Sequence, residues 1–134
     1  MNSVKEKCFC YNFLEKRIKD RVFYELNLPK KRRDAIHRFS HTIENIVKPT
    51  TILLKSSKIT ENELLKESRK VSTSSVGYIL SEDNDLDGKE FSLEEAISRF
   101  FYLGFGAVIV VDEKTAILKD EQCYGPSTKY VLHI

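Results

Sequence analysis

The sequence predicts an α+β fold: an N-terminal helical hairpin and further helices packed on a mixed, mostly antiparallel sheet. Three observations predict it. Apolar residues recur at helical spacing through the first fifty positions. Short β-branched or wholly apolar runs, VGYIL, AVIVVD and KYVLHI, fall in the second half. Those runs and one helical stretch give the second half a β-α-β-β-β order. The hairpin's apolar stripe must be buried against a sheet face, so two layers are expected. At 134 residues one domain spanning residues 1–134 is expected.

The elements follow in order. Leu14, Ile18 and Val22 recur every four residues, which predicts a helix from Asn12 to Leu26 with Asn12 as its cap. The preceding CFCYNF reads as a short strand or an earlier helical turn. Pro29 starts a second helix, where its missing N–H costs nothing. Ile36, Phe39, Ile43, Ile46 and Val47 form that helix's apolar face, and Pro49 ends it. These two helices are expected to form an antiparallel hairpin. Thr50–Lys55 is a strand, and Val76–Leu80 another. Between them Thr60 and Glu63 are spaced as a capping box, with Ile59 and Leu64 as a hydrophobic staple. Ser92 and Glu95 repeat the box before Leu93, Ala96, Ile97, Phe100 and Leu103, and Gly104 is placed for a left-handed helix end. Ala107–Asp112 is apolar on both faces, hence a central strand. Ala116–Lys119 and Lys129–Ile134 complete the sheet. The strand–helix–strand unit from Val76 to Asp112 is expected to pair its strands in parallel.

Composition excludes several classes. No apolar run approaches the roughly 20 residues of a membrane helix, and the N-terminus has no signal-peptide pattern, so a cytoplasmic protein with no membrane partner is expected. Cys8, Cys10 and Cys123 are an odd number without framework spacing and read as free thiols. The sequence contains no P-loop, dinucleotide fingerprint or G-x-S-x-G. Cys123 and His133 are weak as a nucleophile pair. No enzyme activity, cofactor or small-molecule substrate is therefore expected. The net charge of +2 hides a polarity: residues 1–70 hold 17 Lys/Arg and 9 Asp/Glu, residues 71–134 hold 5 and 11. Such a split points to a charged partner for one half, or to the halves facing each other.

Three local patterns carry chemistry. Asp83, Asp85, Asp87, Gly88 and Glu94 match the written form of a calcium loop, in which alternating carboxylates converge on one hard cation. The preceding VGYIL reads as strand where that motif has a helix, and the alternative is an acidic turn capping a helix. Lys30-Lys31-Arg32-Arg33 places four cations at a helix start, against the dipole, which suggests a phosphate or nucleic-acid contact or pairing with the acidic half. His37 and His41 share a helix face at a spacing that can hold zinc, but Arg38 stands where a metalloprotease has its Glu. Exposed polar histidines are the plainer reading.

The run YILSEDNDLDGKEFSLEEAI and the following LGFGAVIVVDEKTAILKDEQCYGPSTKYVLHI, from Tyr78 to Ile134, resemble small uncharacterised bacterial proteins. Some of these look like immunity partners encoded beside contact-dependent growth-inhibition toxins. That resemblance implies a non-enzymatic protein that binds and neutralises a cognate protein toxin, such as a basic nuclease. The acidic residues Glu82, Asp83, Asp85, Asp87, Glu90 and Glu94 would then be the partner-binding patch. The alternatives are a nucleic-acid-binding or regulatory protein using Lys30–Arg33, and a calcium-binding loop.

Overall fold

The computed structural model describes residues 1–121 and 125–134. Its helices are α1 (Ser3–Phe13), α2 (Lys19–Leu26), α3 (Pro29–Ile46), α4 (Glu61–Val71) and α5 (Leu93–Phe101). Its strands are β1 (Ile52–Ser56), β2 (Val76–Ser81), β3 (Glu90–Ser92), β4 (Ala107–Asp112), β5 (Thr115–Lys119) and β6 (Lys129–His133). The strands form one sheet in the order β1-β6-β5-β4-β2-β3. The fold is α+β, as expected. No helix among the described residues is long and apolar enough to cross a membrane.

Side chains alternate across the sheet. Tyr78, Leu80, Val108, Val110, Ala116, Leu118, Tyr130 and Leu132 meet the N-terminal helices through Phe9, Phe13, Ile36 and Phe39. Ile79, Ile109, Val111, Ile117 and Val131 meet α4 and α5 through Leu64, Leu93, Ile97 and Phe100. Helices α1–α3 therefore cover one face, and α4 and α5 form a helical layer on the other. This explains why Ala107–Val111 of β4 are apolar without alternation.

Two expectations are corrected. Among the described residues every strand pair is antiparallel, β2 with β4 included, so the sheet is not mixed and the expected parallel pairing does not form. The acidic loop sends the chain back through β3 before α5 begins. The helical crossover thus joins β3 to β4, which run in the same direction with β2 between them. The helix placed at Asn12–Leu26 is instead two helices, broken at residues 14–18. Leu14 is fully buried in extended geometry and bridges Val47, and Lys48 N–H donates to Phe13 O at 2.8 Å. Tertiary pairing overrides the i, i+4 spacing there. Asn12 caps no helix but lies inside α1, and α2 starts after Ile18 without a side-chain cap; α1 is capped by Asn2, which accepts the Lys5 N–H.

The α2–α3 hairpin forms with antiparallel contacts, Arg17 donating to Asn45 O near one end and Arg38 to Glu25 near the other. Thr60 and Glu63 make the full capping box, whereas Ser92 caps α5 but Glu95 turns to Arg99. Gly104 is not left-handed; α5 ends instead on Lys119, whose buried ammonium donates to the Phe100, Phe101 and Leu103 carbonyls. Burial and the charge of Lys129 push that ammonium down to about 8.

Candidate functional site

The acidic loop and the start of α3 face each other across the N-terminal layer. Gly88 takes a left-handed φ of +74°, which lets the loop close, and its N–H returns to Ile79 O at 2.8 Å. The closure carries Asp87 to Arg32. Arg32 Nε and Nη2 donate to the two Asp87 oxygens at 2.7 and 3.1 Å. Nη1 and Nη2 donate to the two Glu6 oxygens at 2.7 and 2.8 Å, and Nη1 also reaches Leu26 O at 3.0 Å. All five guanidinium N–H groups are thereby used. Glu6 is 1 % exposed and also accepts from the Tyr78 hydroxyl. Burial and that bond to Glu6 push the Tyr78 hydroxyl up to about 12. Burial lowers the Arg32 pKa, but the bonds to Glu6 and Asp87 outweigh it and raise the value above its ordinary one.

This arrangement redistributes the sequence candidates. Of the basic run, Arg32 is interior, while Lys30, Lys31 and Arg33 are exposed, Arg33 lying 3.8 Å from Glu82. A four-residue phosphate surface is therefore not what the run forms. Of the acidic residues, Asp87 serves Arg32, Glu82 faces His37 at 3.1 Å, Glu90 pairs with Lys5, and Glu94 pairs with Arg69 at 2.6 Å. Asp83 Oδ1 accepts the Asp85 N–H at 2.8 Å, and neither aspartate makes an ion pair among the described residues. The carboxylates of Asp83, Asp85, Asp87 and Glu94 do not gather into a cluster of cation ligands. Both Asp87 oxygens point to Arg32, which is incompatible with a calcium loop in this arrangement.

A different set does converge. His37 and His41 project from α3 toward Glu121, which follows β5, and one ligand atom from each lies within 4.8 Å of the others. The sequence pointed to the two histidines but not to Glu121, which is brought to them only by the sheet. Its N–H donates to Ser40 O at 3.0 Å. Glycine at 106 allows that approach of α3: a Cβ there would stand 2.2 Å from Ser40 Oγ. Glu6 likewise carries no sign of burial in the sequence, since its partner Arg32 lies 26 residues away.

Cys8 and Cys10 are free thiols; Cys10 is buried, and burial together with the Glu6 charge pushes it up to about 12, far from a reactive thiolate. His133 Nδ1 faces Thr115 Oγ1 at 3.0 Å. Cys123 lies outside the described residues. Comparison with protein-family models, curated proteins and solved structures finds no match to this chain.

Proposed function

We propose that the chain is a non-enzymatic protein-binding module, an immunity protein that binds and neutralises a cognate bacterial toxin through the acidic loop. One observation carries this reading: the loop is a fixed platform whose tip is not neutralised from within. Its base is tied by Arg32 to Asp87 and by Gly88 to Ile79, while Asp83 and Asp85 at the tip have no cationic partner among the described residues. A pre-ordered acidic tip costs little conformational entropy on binding and steers a basic partner toward the site. Glu90 and Glu94, held by exposed lysine and arginine, can exchange those partners for a toxin's cations at small cost.

The test is co-expression with the product of each neighbouring gene. A stable complex that protects cells from that product is expected. Replacing Asp83 and Asp85 by Lys should slow association by more than about tenfold at low salt, with less effect at high salt. No complex with any neighbouring product would sink the reading. A complex indifferent to both substitutions would remove the loop as its surface.

A further inference from the structure

We propose that His37, His41 and Glu121 form a binding site for a divalent transition-metal ion of the zinc class. This inference is independent of toxin binding. The donor set, two imidazoles and a carboxylate, suits zinc better than calcium or magnesium, which favour oxygen-only shells.

The geometry is close to that of a bound ion. Metal bonds of about 2.0–2.1 Å at tetrahedral angles place neighbouring donor atoms about 3.3–3.4 Å apart. His41 Nε2 lies 3.0 Å from Glu121 Oε2, and His37 Nδ1 lies 4.0 Å from the same oxygen. A ring adjustment of under an ångström brings these pairs into range. The 3.0 Å contact also lacks the alignment of a hydrogen bond. Glu121 Oε2 is buried yet accepts none among the described residues, an unusual state for a buried carboxylate oxygen. A cation shared with His41 would satisfy it.

The surroundings position the donors. His37 and His41 are one helical turn apart, with ring centroids 4.4 Å apart. Thr42, immediately after His41, leaves helical geometry (φ −136°, ψ 32°), and Ser40 O just before the break holds the Glu121 N–H. Glu82 Oε2 lies 3.1 Å from the same His37 Nδ1, so an ion held by that nitrogen takes the place of this contact. The neighbouring arginines are engaged elsewhere: Arg38 donates to Glu25 at 2.6 Å, and Arg33 faces Glu82. Three protein donors on a half-exposed surface leave a coordination position open to solvent or to another molecule's side chain.

The test uses the full chain without an affinity tag. Titration with Co²⁺ should give the visible absorption of a tetrahedral site at one ion per chain, displaced by Zn²⁺. Zn²⁺ should also raise the melting temperature. His41→Ala and Glu121→Gln should each abolish the band, and His133→Ala should leave it unchanged. Circular dichroism checks that each variant is folded. Should His41→Ala lose its fold, Glu121→Gln, isosteric and partly exposed, decides alone. No band with millimolar Co²⁺, or a band retained in the folded Glu121→Gln chain, overturns the proposal.

Discussion

Arg32 shows how a local violation is resolved at a distance. A guanidinium in the first turn of α3 opposes the helix dipole, and α3 has neither an acidic first turn nor a side-chain cap. The compensation comes from Glu6 on α1 and Asp87 in the loop, 26 and 55 residues away. Taking three charges out of water is costly, and the five N–H bonds offset that cost without making the triad a large net source of stability. Its removal is another matter, because Glu6 and Asp87 would be left as unpaired, largely buried anions. Arg32→Met is expected to destabilise by roughly 3–5 kcal/mol. Adding Glu6→Gln and Asp87→Asn should recover a large part of that loss. Urea denaturation of the parent, Arg32→Met and the triple variant measures both, and a triple variant no more stable than Arg32→Met alone would refute the charge argument.

The element scale is governed by close approach. α3 meets the start of β4 where Gly106 leaves room for Ser40, and Lys119 O would stand 2.8 Å from any added Cβ. Gly106→Ala must therefore push α3 away from the sheet or distort the β4 entry, with an expected cost of about 1–3 kcal/mol from overpacking. Gly104→Ala, two residues earlier with open space around it, should change stability little by comparison. Thermal or urea melts of the two variants compare them directly, and equal effects would show that the approach is not tight. These elements were legible in the sequence because their signals are local: the α3 stripe, the Thr60–Glu63 box and the continuous apolar run of β4. What was not legible depends on long-range pairing. The Leu14–Val47 bridge divides a periodic stretch into two helices, and three residues of β3 turn an expected parallel unit into an antiparallel sheet. Two members of the metal-ligand set were visible as a helical spacing; Glu121 was not, because only the β5–α3 contact delivers it.

At the scale of the whole molecule, the +8 and −6 halves of the sequence are joined by their own ion pairs, from Lys5–Glu90 to Arg69–Glu94. The charge split is therefore partly an internal complementarity, and its exposed pairs add little stability each. The pH response rests instead on carboxylates that tie elements together. Burial would raise the Glu25 carboxyl of α2, but Arg38 and Arg21 outweigh it and hold the value below its ordinary one. The hydrogen bond from Lys55 likewise lowers Glu44, which ties α3 to β1 and β6. A carboxyl lowered on folding binds fewer protons in the native chain than in the unfolded one as pH falls. Its contribution is therefore complete above the unfolded value of about 4.3 and is lost as pH drops through the folded value. The N-terminal helical layer should loosen in acid through the α2–α3 contact. Arg38→Gln removes the partner that outweighs burial at Glu25, so it should lower stability at neutral pH and shrink the fall between about pH 5 and about pH 3. Urea midpoints of both chains across that range test the sign. Parallel curves for the variant and the parent would mean that Glu25 carries no part of the acid response.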